Sequence, residues 1–336
     1  MSWSRQVRSR ERGHCLLVDL YPPIEPHASG FLHPDGHHAL YWEECGNPNG
    51  TPVLFLHGGP GSGCSPRHRR FFNPRYYRIL LMDQRGAGRS TPHGDILNNT
   101  PAHLIQDLEL LRRERGIAAW HLFGGSWGST LALAYAESHP QVCLSLTLRG
   151  IFMMRRSEIA WFFGGMRQFA PEAWQAFHDF LPTELRADLC EGYWSQLNHH
   201  DPAIRIAAAK SWAAYEARCL MLGGGSDQTN EAQDPFGAIA LARLEAHYMR
   251  SNRFSPDDKL LRDVALIRHL PCTIVHGRRD LLCPPANAYD LHAAWPESQL
   301  QIVDDAGHSA WEPGTIAALV TAMNDPMRAP TPKQQL

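Results

Sequence analysis

The chain predicts an α/β fold, a mostly parallel sheet flanked by helices with one block of helices inserted into it. Three patterns lead there. Short continuous apolar runs end in glycine or aspartate, helix-spaced segments alternate with them, and one long stretch, Ile151 to Asp263, lacks such runs altogether. Continuous rather than alternating apolar runs mark strands covered on both faces, as in parallel sheets.

Taken in order, Val53–Leu56 runs into His57-Gly58-Gly59, and Tyr77–Met82 runs into Asp83. Pro101 to Arg115 then carries Leu104, Leu108 and Leu111 at helical spacing. Trp120–Phe123 leads into Gly124, and Ser129 to Ser138 reads as a helix closed by His139-Pro140. Leu144–Leu148 supplies a further strand before Arg149-Gly150. Strand, turn and helix in repetition imply right-handed crossovers. The stretch from Ile151 to Asp263 holds Trp161, Trp174, Trp194 and Trp212 in helix-like surroundings, with Gly223-Gly224-Gly225-Ser226 as a loop, because three glycines lose too much backbone entropy inside a helix. Strands resume at Cys272–Val275 and Leu300–Val303, so the helical block interrupts one domain. The proline-rich end after Asp325 reads as disordered.

Composition narrows the function. The 336 residues carry 32 Lys and Arg against 34 Asp and Glu, a formal net charge of -2, so no basic field draws the chain to nucleic acid or anionic membranes. Met1 to Leu20 has several arginines but no apolar core of a signal peptide, and no apolar run of about 18 residues occurs elsewhere, so neither secretion nor a membrane span is expected. The eight cysteines form no CxxC pair, which points to free thiols in a reducing cytoplasm. His37-His38 and His199-His200 stand out among 19 histidines, yet no HExxH or similar ligand spacing is present, and neither metal nor cofactor is expected.

Chemistry concentrates in Gly124-Gly125-Ser126-Trp127-Gly128, a G-x-S-x-G run between a predicted strand and a predicted helix. An incidental serine in a glycine turn is the plainer alternative, but the strand and helix around it favour the strained turn on which α/β-hydrolases expose a nucleophile. A serine hydroxyl needs a base oriented by a carboxylate. In the order serine, acid, histidine, Asp280 follows one strand and His308 the next, both at the carboxyl edge of the sheet where open α/β folds place their sites. Asp304 and Asp305 are rival acids, too close in sequence to His308 to reach its ring from the far side. His57 and His276 are rival bases, and His276 is better suited to supporting its loop. The run His57-Gly58-Gly59-Pro60-Gly61 follows the first clear strand, where this fold supplies an oxyanion donor; Gly59 and Trp127 are the candidate donors. A phosphate-binding loop is disfavoured because no Gly-Lys-Ser/Thr follows.

Together these motifs resemble the proline iminopeptidases, or prolyl aminopeptidases, of the bacterial type. The resemblance is carried by Tyr21–Pro26 (YPPIEP), His57–Ser65 (HGGPGSGCS), Asp83–Ser90 (DQRGAGRS), Gly124–Thr130 (GGSWGST) and Leu148–Phe152 (LRGIF), and runs from about Leu20 to Glu312. It implies an α/β-hydrolase core over 20–150 and 263–325, a helical cap over 151–262 and flexible ends at 1–19 and 326–336. It also implies release of N-terminal proline from short peptides without metal or cofactor, with Ser126, Asp280 and His308 as the triad. Glu216 and Glu245, with Arg149, are implied to bind the substrate; the glutamates would receive its free amino group. Residue patterns alone rank these glutamates as helix-surface charges. The segment Cys219 to Phe236 departs from the family pattern. Two other readings compete: an esterase on the same core, which has no use for Glu216 and Glu245, and a non-catalytic binding module, which has no use for the triad. Epoxide hydrolases and dehalogenases need an aspartate where Ser126 stands.

Overall fold

The computed structural model describes residues 19–223, 235–250 and 258–325. The expectations for both chain ends, and for the glycine loop beyond Gly223, fall outside the described residues, apart from Asp19. Eight strands form one sheet: β1 (Ala28–Leu32), β2 (Leu40–Gly46), β3 (Thr51–Leu56), β4 (Tyr77–Met82), β5 (Trp120–Gly125), β6 (Cys143–Arg149), β7 (Cys272–Gly277) and β8 (Gln299–Val303). Their order is β1-β2-β4-β3-β5-β6-β7-β8. The pairs β1–β2 and β2–β4 are antiparallel and every later pairing is parallel.

Alternate residues of the central strands feed two cores. Leu54, Leu56, Leu80 and Met82 face one cluster; Val53, Phe55, Ile79 and Leu81 face the other. On the first face lie α1 (Pro101–Glu114), α2 (Trp127–Ser138) and α9 (Ala286–Ala294), while α10 (Pro313–Met323) covers the second through Ile316, Leu319 and Met323. Helix α2 is buried from Trp127 to Glu137, as a helix apolar all round must be. It starts at Trp127, directly after Ser126 and two residues ahead of the sequence expectation.

Strands β1 and β2 lie outside that expectation, for a physical reason. Strand β2 reads Leu-Tyr-Trp-Glu-Glu-Cys-Gly, so two carboxylates break its apolar run. Both are buried and neutralised from elsewhere: Glu43 by Arg69 at 2.7 Å and Glu44 by Arg78 at 2.8 Å. Burial alone would be prohibitive without those partners.

Between β6 and β7 the described chain forms α3 (Arg156–Phe163), α4 (Pro171–Phe180), α5 (Leu189–Leu197), α6 (Pro202–Leu222), α7 (Pro235–Arg250) and the single short turn α8 (Lys259–Asp263). An aromatic knot joins α4, α5 and α6. Phe177 stacks on Tyr193 with centroids 4.1 Å apart and on Tyr215 at 4.4 Å, and Trp212 packs edge-on against Phe177. Helix α7 rests on the loops above the sheet, with Tyr248 Oη donating to Asn99 Oδ1 at 2.7 Å and Arg243 Nη1 to Gly94 O at 3.1 Å.

Candidate active site

Ser126 stands between β5 and α2 with φ 56° and ψ −127°, a conformation that costs an L-residue of order 1–3 kcal/mol. Its neighbours enforce it. A Cβ on Gly124 would lie 2.2 Å from Gly128 O, and one on Gly128 would lie 2.1 Å from Leu56 O. The two glycines of the motif are therefore demanded by backbone crowding. Ser126 N–H donates to Arg149 O at 2.8 Å, tying the turn to the end of β6, and Ser129 N–H returns to Ser126 O at 2.8 Å.

Strands β5, β6, β7 and β8 are consecutive neighbours, so Ser126, Gly150, Asp280 and His308 stand side by side along one sheet edge. Asp280 Oδ2 lies 2.7 Å from His308 Nδ1, and Asp280 Oδ1 accepts the Cys283 N–H at 2.8 Å. Gly150, at φ +55°, gives the imidazole its room: a Cβ there would sit 3.1 Å from His308 Cε1. Burial pushes the Asp280 carboxyl pKa up, but the charge of His308 and hydrogen bonds from His276 and His308 outweigh it and hold the acid ionised. His308 is shifted down by burial, partly offset by Asp280.

The rival histidines are otherwise engaged. His276 Nδ1 accepts the Ile151 N–H at 3.1 Å, and its Nε2 lies 2.8 Å from Cys283 O, so its ring fastens the loop that carries Asp280. His57 Nε2 accepts the Gln84 N–H at 3.0 Å while Nδ1 lies 2.9 Å from Gly58 O. Asp304 pairs with Arg278 at 3.1 Å on the surface.

Gly58 brings the first glycine loop against the candidate nucleophile, since a Cβ there would lie 3.5 Å from Ser126 Cβ. Gly59 follows at φ +101°, a value glycine accepts freely. The Trp127 amide opens α2, where the first N–H groups of a helix have no partner within it. The segments that carry the two candidate donors are joined by a residue that motif reading overlooks. Gln84 Oε1 accepts the Trp127 indole N–H at 2.8 Å and Gln84 Nε2 donates to His57 O at 3.1 Å. The Asp-Gln-Arg run after β4 was its only signal.

Glu245 on α7 is 2 % exposed and its Oε2 accepts the Trp212 Nε1–H at 2.5 Å. Glu216 on α6 is half-buried. Burial raises both carboxyls: Glu216 to about 7, and Glu245 well above the ordinary range, with the charge of Glu216 adding to the rise. Among the described residues neither carboxylate has a Lys, Arg or His within ion-pair distance. The charge of Glu216 also helps raise the thiol of Cys283, whose amide binds Asp280.

Residues 51–315 match the model of the α/β hydrolase fold family. The chain is 50 % identical over 313 residues to a proline iminopeptidase of Arabidopsis thaliana, covering 92 % of this chain and 82 % of the relative. It is 48 % identical over 305 residues to a proline iminopeptidase of Xylella fastidiosa, covering 90 % and 97 %. The chain belongs to the proline iminopeptidase family. A solved esterase from a Rhodococcus species superposes with a TM-score of 0.58 at 19 % identity, over 89 % of this chain and 98 % of that one, and shows the shared fold alone.

In this proline iminopeptidase family member, Arg149 contacts the loop of the candidate base. Its Nη1 donates to His308 O at 2.7 Å, and its guanidinium packs so closely on Gly125 that a Cβ there would lie 2.5 Å from Nη2. It braces the base loop from beneath the serine turn. A separate cleft of about 560 Å³, lined by Asp35, Arg85, His103, Asp107, Arg113 and His139, contains none of the candidate catalytic residues.

Proposed function

We propose that this protein is a serine aminopeptidase that releases N-terminal proline from short peptides through a prolyl-enzyme ester. One observation carries the choice of substrate. One buried carboxylate, Glu245, and one half-buried, Glu216, stand on the packed helices α7 and α6 with no protein cation among the described residues to answer them, the arrangement a substrate ammonium completes.

In this mechanism Ser126 Oγ attacks the prolyl carbonyl while His308 Nε2 takes its proton. Asp280 holds Nδ1–H in place and stabilises the imidazolium. The developing oxyanion is received by the amides of Gly59 and Trp127; one such donor is typically worth about 2.7–4 kcal/mol. His308 then protonates the departing amine, and the same histidine activates the water that opens the ester. Helices α3–α7, within the cap over 151–262, close over this centre and select for a chain end.

Seven described cysteines are free thiols, which supports residence in the cytoplasm. No helix of the described residues is long and apolar enough to cross a membrane. An esterase on this core would gain nothing from two acids held without a cation among the described residues. Purified protein should hydrolyse a prolyl arylamide with a free amine at least 100-fold faster than its N-acetyl form. Equal rates, or turnover confined to simple acyl esters, would overturn the reading.

A further inference from the structure

His37, His38 and Asp95 bring one ligand atom each to within 4.8 Å of one another, with His37 and Asp95 58 residues apart along the chain. The first two come from the turn between β1 and β2 and the third from the loop between β4 and α1. His38 is the telling member. Its side chain is fully buried, yet its Nε2 has no hydrogen-bond partner, an expensive state for a ring nitrogen. On the opposite side of the ring, Nδ1 lies 3.0 and 3.1 Å from the two Asp35 carboxylate oxygens and 3.2 Å from Arg85 Nη1, which also holds Asp35 at 2.9 Å.

With its proton on Nδ1, toward the two nearer Asp35 oxygens, the ring leaves Nε2 as an unprotonated lone pair, the same backing that histidine ligands of zinc ordinarily have. His37 pairs directly with Asp95 through Nε2 and Oδ2, and its side chain is 42 % exposed. It can therefore swing outward, as it must: tetrahedral ligands about 2.0–2.2 Å from zinc stand roughly 3.4 Å from one another, further than a hydrogen-bonded pair. Asp95 is anchored by the Leu97 N–H at 2.7 Å, so the exposed histidine is the partner that yields.

We propose that His37, His38 and Asp95 form a binding site for a divalent transition ion of the zinc class, with water as the fourth ligand. Two imidazoles and one carboxylate suit a borderline ion such as Zn²⁺ or Co²⁺ better than Mg²⁺ or Ca²⁺, which take mainly oxygen ligands. The ion would pin the β1–β2 turn to the 91–99 loop. That loop receives Arg243 and Tyr248 of α7, the helix that carries Glu245, so occupancy is expected to stiffen the seat of the substrate glutamate.

Metal-stripped full-length protein titrated with ZnCl₂ in a calorimeter tests this. One equivalent should bind with a Kd of about 1 µM or tighter, and His37→Ala and Asp95→Asn should each weaken it at least tenfold. Zn²⁺ should raise the Tm of the parent and not of either variant. Both substituted side chains are at least partly exposed, so the variants test binding without emptying a buried position, as His38→Ala would. Co²⁺ should show the visible bands of a nitrogen and oxygen site. Binding below half an equivalent, binding unchanged in both variants, or a near-ultraviolet thiolate-to-cobalt band would overturn the assignment.

Discussion

Arg149 Nη1 donates to the carbonyl oxygen of His308 at 2.7 Å, joining the end of β6 to the loop that presents the candidate base. The same arginine offers its own carbonyl to Ser126 N–H at 2.8 Å, so one residue sets the relative position of nucleophile and base. Arg149→Met should therefore lower kcat by about 10- to 100-fold, the value of one charge-assisted hydrogen bond, with little change in KM. Steady-state kinetics on a prolyl arylamide decide it; a rise in KM at constant kcat would instead return Arg149 to the substrate pocket.

Ser126→Ala should abolish turnover by about a millionfold, the usual cost of losing a triad serine. Ser126→Gly should be equally inactive but more stable than Ser126→Ala, because φ 56° and ψ −127° strain any residue bearing a Cβ. Melting curves of the two variants provide the comparison. A lower Tm for the glycine variant would show that the turn is not under strain.

Glu245→Gln and Glu216→Gln should each reduce kcat/KM for free-amine substrates at least 100-fold while leaving Tm unchanged or higher. Each removes an acid that lacks a cation among the described residues, so the folded protein loses no ion pair and sheds a desolvation cost. The difference between free and N-acetylated substrates should shrink in both variants. Loss of folding in both would place the glutamates in the framework of the cap.

The acid limb of activity follows from the same shifts. His308 is depressed below the ordinary histidine value, so it remains a neutral base to a pH under 6.5. Glu216, raised to about 7, and Glu245, raised well above the ordinary range, must ionise to hold an ammonium, so in the free enzyme the pair sets the acid limb of kcat/KM. In Glu216→Gln the residual activity should show an acid limb moved to lower pH, because Glu245 then loses the neighbouring charge that adds to its rise. For stability the sign is the reverse of an ordinary paired carboxylate. Between the unfolded value of 4.5 and about 7, the folded state holds a proton that the unfolded chain has released, so the contribution of Glu216 is lost as pH rises through that window. Thermal melts of parent and variant from pH 4.5 to 8 should diverge accordingly.

Much of this molecule is local in origin. The buried parallel strands announce themselves as unbroken apolar runs, and the serine turn as glycines whose absent Cβ atoms relieve contacts near 2 Å. Ser126, Asp280 and His308 are legible because each follows its own strand, and β5 to β8 lie next to one another in the sheet. Strand β2 was hidden because its buried glutamates are solvated by arginines from distant segments, which no periodicity reveals. The same holds for Gln84 between the two amide-bearing segments, for Arg149 beneath the serine, and for His38 facing Asp95 across separate loops. Backbone sterics and side-chain period act between residues near in sequence, and so can be read from it. The state of a buried charge or lone pair depends on what folding brings within a few ångströms, and that is settled when the elements pack.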